Sequence, residues 1–450
     1  MENYIKRQTE ELILARLEAG FIVGLLGARQ TGKTTLMKRL SSYFQNKGIP
    51  DKHIFFFNLD DVLLRNEISA DFYFIRNAIE QKLGNNLNRL SSPIILLVDE
   101  AQKAPDIFEL VKIIHDNFGE KVKIILSGSA SLEIQKKSAE SLAGRISYVY
   151  LFPLSLGEIL KDKFFLTEKN GLLAKLAEGT INFDFLKNLQ RTMEDDFNRR
   201  REFGLLFRTV ILGGSLPAVW RKPEEKELII KSLVETYLDK DIRSIKDVGS
   251  VEDFGRLVIT LAYETGKLLN IASLSRDLGM AVNTVKKYLS ILNASFVLNK
   301  LPPLFSRSRK RFVKSQKVYF FDVGLVNFLT KRLFWENLKG EAAGFLFENL
   351  VVKSLEADNK NKPLPFNCSF WRDYQDHEVD LVIEKGEKEK IPVEITTSKI
   401  LDKEKIRNLA YFFREFDGKA NFGLVIYQGE LKQIKVGRNK IFLVPWWLWW

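Results

Sequence analysis

Short apolar runs recur through the first third of the chain, separated by more polar segments. Residues 21–26 (FIVGLL), 94–98 (IILLV) and 122–126 (VKIIL) show almost no alternation of apolar and polar positions. Runs of this kind are typical of strands buried on both faces of a parallel sheet. Residues 36–40, shortly after the first run, have helical spacing of their apolar positions instead. The pattern predicts an α/β fold with a parallel sheet.

A glycine-containing loop joins the first apolar run to this helical segment. Residues 27–34 read GARQTGKT, which matches G-x-x-x-x-G-K-[ST] in the order strand, loop, helix. Backbone N–H groups of such a loop close around a phosphate, while Lys33 can reach the β- and γ-phosphates and Thr34 can hold Mg²⁺. The sequence therefore predicts a nucleoside triphosphate, ATP, with Mg²⁺. The predicted nucleotide-binding residues are Gly27, Ala28, Arg29, Gln30, Thr31, Gly32, Lys33, Thr34 and Thr35.

Polar side chains follow the next two apolar runs. Asp99 could hold Mg²⁺ through water, and Glu100 could accept a proton from the water that attacks the γ-phosphate. Ser129, after the third run, would bring a hydroxyl toward the γ-phosphate as a sensor. Arg145 is a candidate finger for its own site or for a neighbouring subunit of a homo-oligomer, although a solvated helix-end cation is the default interpretation. Together these residues favour hydrolysis over simple nucleotide binding.

Residues 1–160 resemble the AAA+ branch of the P-loop ATPases. The motifs that carry the resemblance are GARQTGKTT (27–35), LLVDEAQKAP (96–105), ILSGSAS (125–131) and SLAGR (141–145). With LGGSLPAV (212–219) and EVDLVIE (378–384), they make the whole chain similar to a prokaryotic family that fuses this ATPase to a winged helix and a restriction-endonuclease-like domain. The resemblance implies these roles: magnesium residues Thr34 and Asp99, catalytic base Glu100, sensor 1 Ser129 and finger Arg145.

The middle of the chain predicts helices and then a winged helix. Residues 161–246 are rich in charge and in helical patterning, and we expect a helical insertion and a lid there. Residues 271–289 have the two-helix rhythm of a helix-turn-helix, with Gly279 at the turn. Two strand-like runs follow, and the cationic stretch between them would form the wing. The predicted nucleic-acid contacts are Lys286, Lys287, Arg307, Arg309, Lys310 and Arg311, although winged helices also dock proteins.

Three carboxylates are candidates for a second metal site near the C-terminus. Glu348, Asp380 and Glu394 resemble the metal site of restriction-endonuclease-like enzymes. The usual signature there is E-x-K, but Thr396 stands where the lysine belongs. Lys399 is the only nearby substitute, and a strand continuing past Glu394 would face it away. A site kept for binding or assembly fits at least as well as an active nuclease, and we expect little or no DNA cleavage.

Composition narrows the class of protein. The 450 residues are 45% apolar and 28% charged, as in a globular chain of about three domains. One cysteine, Cys368, excludes an internal disulfide, and the longest apolar runs are far shorter than the ~20 residues that span a bilayer. We therefore expect a cytoplasmic location with no membrane partner. The net charge of +12 and the pI near 9.4 suggest a polyanionic partner such as DNA.

These patterns predict four regions: an AAA+ core at 1–160, a helical insertion and lid at 161–246, a winged helix at 247–321 and an α/β restriction-endonuclease-like domain at 322–450. The predicted function is ATP hydrolysis that controls contact with DNA. The alternatives are a nucleotide-dependent switch that binds a protein partner and an ATP-regulated, metal-dependent nuclease.

Residues 444–450 (VPWWLWW) hold four indoles, which fit burial in their own domain, on a partner or at a subunit interface.

Overall fold

The computed structural model describes residues 4–89, 92–129, 140–164, 171–178, 181–193, 197–242, 248–304, 315–338, 340–386 and 388–450. They belong to two compact units. The first unit contains residues up to 152 together with 294–296, and the second contains residues 153–293 and 297–450. Among the helices of the described ranges, none combines the length and apolar content needed to cross a bilayer.

The first unit is built on one parallel sheet. Its strands are β1 (Ile22–Leu26), β2 (Ile54–Asn58), β3 (Ile94–Asp99), β4 (Val122–Gly128) and β5 (Ile146–Tyr150). Their order is β2-β3-β4-β1-β5, and every neighbouring pair is parallel. All residues of β1 and β3 are buried, which explains why the sequence shows no alternation there. The predicted parallel α/β core is confirmed.

Helices cover both faces of this sheet. They are α1 (Thr9–Glu18), α2 (Lys33–Asn46), α3 (Val62–Ala70), α4 (Phe74–Leu83) and α5 (Ile107–Phe118). Because successive strand residues point to opposite faces, Leu96 and Val98 of β3 share one core with α5, and Leu97 shares another with α2. The strand order places the ends of β1, β4 and β3 side by side. The loops that leave these strands therefore meet at one edge of the sheet.

The second unit begins with mostly helical structure. Its helices are α6 (Leu156–Phe164), α7 (Leu172–Glu178), α8 (Phe183–Met193), α9 (Phe197–Gly213), α10 (Pro217–Arg221), α11 (Lys226–Thr236), α12 (Val251–Tyr263), α13 (Ile271–Leu278), α14 (Val282–Ala294), α15 (Val323–Leu329), α16 (Glu341–Lys360) and α17 (Lys403–Glu415). The turn between α9 and α10 is fixed by Asp322, whose carboxylate accepts hydrogen bonds from the backbone N–H groups of Ser215 at 2.6 Å and Leu325 at 3.2 Å. Burial raises the pKa of Asp322 to about 6, although these N–H donors oppose the shift.

Helices α13 and α14 form the expected two-helix segment. Gly279 follows α13 with a left-handed φ of 65°, which glycine adopts without strain. Helix α14 buries its apolar face and exposes Lys286 and Lys287. Strands β6 (Leu298–Leu301) and β7 (Lys317–Phe320) then form an antiparallel pair. The winged-helix assignment stays a prediction, because the wing residues lie outside the described ranges: Arg307, Arg309, Lys310 and Arg311.

A six-stranded sheet forms the last part of the second unit. Its strands are β8 (Asn367–Arg372), β9 (Glu378–Lys385), β10 (Glu389–Ile395), β11 (Phe422–Tyr427), β12 (Lys432–Val436) and β13 (Asn439–Pro445). The order is β12-β13-β11-β10-β9-β8, in which β10, β11 and β13 run parallel and the other neighbours are antiparallel. Helix α17 packs on this sheet through Leu409 and Phe412. The likeness to restriction endonucleases stays a prediction.

The tryptophans at the C-terminus are buried within the second unit. Trp447 stacks on Phe203 of α9, with ring centroids 4.5 Å apart. The indole N–H of Trp449 donates to the carbonyl oxygen of Val351 in α16 at 3.1 Å. Of the three environments that the sequence left open, the structure therefore has the tail packed against its own unit.

Candidate active site

The phosphate loop between β1 and α2 is held by close backbone contacts. Gly32 has a φ of 95° and directly precedes α2, so the first N–H groups of the helix are open to the loop. A Cβ atom on Gly27 would lie 2.1 Å from the carbonyl oxygen of Leu151, so only glycine fits here. Thr31 Oγ1 donates to the Ala28 carbonyl oxygen at 2.9 Å. The loop therefore offers the fixed backbone donors that a phosphate group needs.

Lys33 adds a positive charge to this loop. Its side chain is buried, and Nζ donates to the carbonyl oxygens of Gly27 and Ala28, each at 2.9 Å. These bonds hold the ammonium group against the backbone that would surround a phosphate. A buried cation beside a helix N-terminus suits an anionic ligand. The residues present therefore fit the triphosphate of a nucleotide.

Arg7 ties the phosphate loop to the end of β5. Its guanidinium donates from Nη1 to the carbonyl oxygen of Thr31 at 2.8 Å and from Nη2 to that of Phe152 at 2.6 Å. The planar fork of an arginine fixes the two acceptors relative to each other. Arg7 is buried at 5% exposure, which is unusual for this residue type. Arg7 was not among the predicted residues, since no motif includes it.

Thr34 and Asp99 lie side by side where β3 ends. Thr34 Oγ1 donates to Asp99 Oδ2 at 2.5 Å, and Ser127 of β4 donates to Asp99 Oδ1. Asp99 is buried. Hydroxyl and carboxylate oxygens are the ligands that Mg²⁺ prefers, so this pair fits the ion expected with the nucleotide. Ser127 was not among the predicted residues, although its place at the end of the neighbouring strand was an available signal.

Glu100 comes directly after β3 and contacts the predicted sensor. Its φ of 55° is left-handed, a conformation that is strained for residues other than glycine and that often occurs at functional sites. Ser129 Oγ donates to Glu100 Oε2 at 3.2 Å, and Gln102 Nε2 donates to the same oxygen at 2.6 Å. The ends of β1, β3 and β4 thus bring the loop, the acidic pair and the serine together. Gln102 is a third residue, after Arg7 and Ser127, that sequence reasoning missed.

Arg145, the predicted finger, is paired within the first unit. Its Nε and Nη2 donate to the two carboxylate oxygens of Asp116 on α5, at 2.6 Å and 3.0 Å. This hydrogen bonding holds the pKa of Asp116 below its usual value. Both side chains are partly exposed to solvent. A role for Arg145 as a finger stays a prediction.

In the second unit, a lysine joins two of the predicted carboxylates. Lys405 of α17 places Nζ 2.7 Å from Asp380 Oδ2 on β9 and 2.7 Å from Glu394 Oε2 on β10. Asp380 Oδ2 also accepts from the backbone N–H of Ile395 at 2.8 Å. Glu394 is fully buried, and within the described residues neither of its carboxylate oxygens makes a hydrogen bond of good geometry. This carboxylate therefore depends on its ion pair with Lys405.

Burial and charge shift the titration of these groups. Burial opposes the charged form of Lys405, but Asp380 and Glu394 raise the pKa of Lys405 above its usual range. Burial also opposes charge on Asp380, yet Lys405 and Lys317 hold the pKa of Asp380 below its usual value. Burial raises the pKa of Glu394 well above its usual value, against the effect of Lys405. Asp380 is thus the charged partner, and Glu394 is the carboxyl that retains a proton more readily.

Glu348, the third predicted carboxylate, is paired separately. Its Oε1 accepts from Lys317 Nζ at 2.8 Å and from the Tyr319 hydroxyl at 2.6 Å. Lys317 Nζ also lies 2.6 Å from Glu378 Oε1. Burial raises the pKa of Glu348, although Lys317 opposes the shift. In the part of the chain that the structure describes, no three His, Cys, Asp or Glu side chains are placed to hold a metal ion. As arranged, the carboxylates are paired with lysines and do not fit a metal together.

The cation that seemed to be absent beside Glu394 is present. Strand β10 ends at Ile395, and Thr396 Oγ1 accepts from the Ser398 N–H at 3.2 Å as part of the following turn. Lys405 from α17 supplies the positive charge instead. The expectation that only Lys399 could replace the lysine is therefore wrong, because it considered the strand alone. A signal was available: Lys405 is in helical phase with two buried positions of the same helix, Leu409 and Phe412.

Comparison with known protein families agrees with the site in the first unit. Residues 20–160 match a model described as an AAA domain. Residues 204–335 and 343–449 match two domains of unknown function, DUF8612 and DUF4143. Most of the first unit is therefore similar to an AAA domain. The other two matches bring no function with them.

The chain is also similar to several proteins along much of its length. An uncharacterized protein of Mycobacterium tuberculosis is 27% identical over 377 residues, which cover 81% of this chain and 67% of that protein. An uncharacterized protein of Methanocaldococcus jannaschii is 26% identical over 456 residues, covering 99% of this chain and 86% of that protein. Among solved structures, a Walker-type ATPase of Pyrococcus abyssi is 16% identical with a TM-score of 0.43, covering 73% of this chain and 96% of that chain. The similarity to the Methanocaldococcus protein extends over both units.

Proposed function

We propose that the protein binds and hydrolyses ATP, and that its nucleotide state controls binding to DNA. The observation that carries the ATPase part is the meeting of Thr34, Asp99, Glu100 and Ser129 at one edge of the sheet, beside the buried Lys33. The contacts Thr34–Asp99 and Ser129–Glu100 each join residues far apart in the sequence, so the assembly depends on the fold and not on one local motif. The match of residues 20–160 to an AAA domain supports the same assignment.

The proposed reaction assigns a task to each of these side chains. The loop N–H groups and Lys33 bind and orient the β- and γ-phosphates. Thr34 and Asp99 would hold Mg²⁺, which offsets the negative charge of the phosphates when bound. Glu100 accepts the proton of the attacking water, and Ser129 fixes the orientation of its carboxylate. Positioning and electrostatic stabilisation account for most of the catalysis in reactions of this class.

Two substitutions separate binding from turnover. Lys33→Ala should abolish nucleotide binding, because the loop loses its buried cation. Glu100→Gln should still bind ATP but should stop turnover, since the loop and the Thr34–Asp99 pair are left intact. Equilibrium binding of a fluorescent ATP analogue and steady-state phosphate release measure the two effects. Normal hydrolysis by the Glu100→Gln protein would eliminate this residue as the base.

The DNA part of the proposal is supported by charge and exposure. The chain carries a net charge of +12, and α14 exposes Lys286 and Lys287 on one face. Residues 307–314 add five cations and no acid. Clusters of this kind neutralise nucleic-acid phosphates, and binding that depends on such contacts weakens as salt rises.

Coupling to DNA is tested by ATP turnover with and without double-stranded DNA at two salt concentrations. We expect DNA to stimulate ATP turnover, and we expect this stimulation to weaken at the higher salt concentration. The variant Lys286→Ser/Lys287→Ser should reduce it, and Lys403→Ser/Lys432→Ser is a control with the same loss of exposed charge elsewhere in the second unit. A rate of ATP turnover that is the same with and without DNA at both salt concentrations would favour the nucleotide-dependent switch that binds a protein partner.

A metal-dependent nuclease is a second candidate function for the second unit. The observation that favours it is Lys405, because a cation beside Asp380 and Glu394 removes the objection raised by Thr396. The test uses linear and supercoiled DNA with Mg²⁺ or Mn²⁺, and it compares the wild type with Asp380→Asn and Lys405→Met. Cleavage that both variants lose, while their tryptophan fluorescence shows that the second unit is still folded, would support a nuclease. Intact DNA, or cleavage that survives Asp380→Asn, would eliminate this function.

A further inference from the structure

Gln102 is a buried amide that the proposed reaction does not yet use. It lies in a short helical turn, Ala101–Lys103, that directly follows Glu100. Its side chain is 9% exposed. Nε2 donates to Glu100 Oε2 at 2.6 Å, whereas the carbonyl oxygen Oε1 is buried and has no hydrogen-bond partner among the described residues. One end of this amide therefore holds the predicted base, and the other end is left unsatisfied.

The orientation of the amide follows from charge. An ionised carboxylate only accepts hydrogen bonds, so the nitrogen and not the oxygen of Gln102 must face Glu100. The unpartnered oxygen is fixed as a consequence. Buried acceptors without a donor are uncommon in folded proteins, because losing contact with water is unfavourable unless a hydrogen bond replaces it. A hydrogen bond to this oxygen therefore needs a donor that the described residues do not supply.

The two carboxylate oxygens of Glu100 also differ in their contacts. Ser129 Oγ and Gln102 Nε2 both donate to Oε2, at 3.2 Å and 2.6 Å. These two donors come from different segments of the chain, one from the loop after β4 and one from the turn after β3. They fix the plane of the carboxylate and leave Oε1 to take up a proton.

We propose that Gln102 is a catalytic residue of ATP hydrolysis, which holds Glu100 through its nitrogen and orients the attacking water through its carbonyl oxygen. This inference rests on the proposed ATPase function. The water gives one proton to Glu100 Oε1, and its oxygen forms a bond to the γ-phosphorus. The bond between the γ-phosphorus and the β–γ bridging oxygen breaks, and its electron pair leaves with ADP. The second O–H of the water stays intact, donates a hydrogen bond to Gln102 Oε1 during this step and leaves with the phosphate product.

The test compares Gln102→Met with the wild type in ATP binding and in single-turnover hydrolysis. Methionine has a similar length and fills the same space, but it makes neither hydrogen bond. We expect an unchanged Kd for ATP and a hydrolysis rate about 10- to 100-fold lower. A loss of this size is typical when a group that orients the attacking water or the general base is removed. Gln45→Met, an exposed site on α2 of the same unit, is the matched control and should have no effect on the rate. Gln102→Glu, which replaces the donor by an acceptor, should be equally slow, and it serves if the methionine variant does not fold.

A double-mutant cycle distinguishes a role shared with Glu100 from a general structural role. If Gln102 and Glu100 hold the same water as one unit, Gln102→Met should lower the residual single-turnover rate of the Glu100→Gln protein far less than it lowers the wild-type rate. A full additional loss in that background, or a weaker Kd for ATP, would overturn the proposal. So would an unchanged rate in Gln102→Met while Glu100→Gln is inactive. A wild type that does not hydrolyse ATP at all would refute the proposed function instead.

Discussion

Replacing Lys405 by methionine should strongly destabilise the second unit at neutral pH. The substitution keeps much of the side-chain length and removes the ammonium group, which lies 2.7 Å from both Asp380 and Glu394. Removing one partner from a buried ion pair typically costs about 3–5 kcal/mol. The Lys405 side chain retains 21% exposure, so water can partly solvate the remaining carboxylates, and we expect about 3 kcal/mol.

The loss of stability caused by Lys405→Met should become smaller as the pH falls. Burial raises the pKa of Glu394, so its contribution to stability is present below the usual carboxyl pKa and is lost as the pH rises through the raised value. Asp380 has a lowered pKa, and its contribution is present at neutral pH and is lost on acidification. Without Lys405 both carboxyls would be neutralised by protons more readily. The difference in stability between wild type and variant should therefore narrow between pH 7.5 and pH ~5.

Tryptophan fluorescence gives an assay that is selective for this unit. All 7 tryptophans of the chain lie in the second unit, so their emission during urea unfolding reports on it alone. Lys403→Met, at an exposed position of the same helix, is the matched control and should leave the midpoint nearly unchanged. Adding Glu394→Gln to Lys405→Met should restore part of the stability. Equal midpoints for Lys405→Met and Lys403→Met, or a difference that does not narrow at the lower pH, would refute the reasoning.

Three further outcomes test other parts of the molecule. Arg145→Ala should lose about 10³-fold in turnover with ATP binding preserved if it acts as a finger in trans, and mixing with Glu100→Gln protein should then restore some activity; no recovery would mean that each subunit works alone. Trp447→Ala should lower the stability of the second unit by about 3–5 kcal/mol in the same fluorescence assay, because it removes a buried ring stacked on Phe203. A loss below about 1 kcal/mol would mean that the tail adds little to the core. Serine in place of four wing cations should flatten the salt dependence of DNA binding by about 3.6 units, at ~0.9 per phosphate contact, and an unaltered slope would place the DNA surface elsewhere; the four are Arg307, Arg309, Lys310 and Arg311.

The parts of the site that could be predicted are those encoded by neighbouring residues. The loop of residues 27–34 is one continuous motif, and its conformation follows from glycines at fixed positions. Unbroken apolar runs identified β1, β3 and β4, because strands buried on both faces need no polar side. That Asp99 and Ser129 adjoin this loop then followed from the rule that parallel strand ends share one edge.

Residues that reach the sites across the fold could not be identified in this way. Lys405 and Lys317 contact the carboxylates of β9, β10 and α16 from a helix and from a separate sheet. Helical phase could place Lys405 on the buried face of α17, but no sequence spacing identifies the carboxylates that it contacts. The role of Gln102 could not be predicted for a reason that lies in the local backbone. In an extended strand it would share a face with Glu100, but the left-handed φ of Glu100 ends β3 and makes the position of the amide depend on the turn.

The two sites differ in how they would receive a phosphate group. Lys33 donates to carbonyl oxygens, which are neutral, so an anionic phosphate can compete for its ammonium group. In the second unit the ammonium groups already lie against carboxylates: Lys317 pairs with Glu348 and Glu378, and Lys405 pairs with Asp380 and Glu394. A phosphate there would have to displace a carboxylate that carries its own negative charge, whereas at Lys33 it displaces neutral carbonyl oxygens. Positive charge in the second unit is therefore less available to a DNA phosphate than the ammonium group of Lys33.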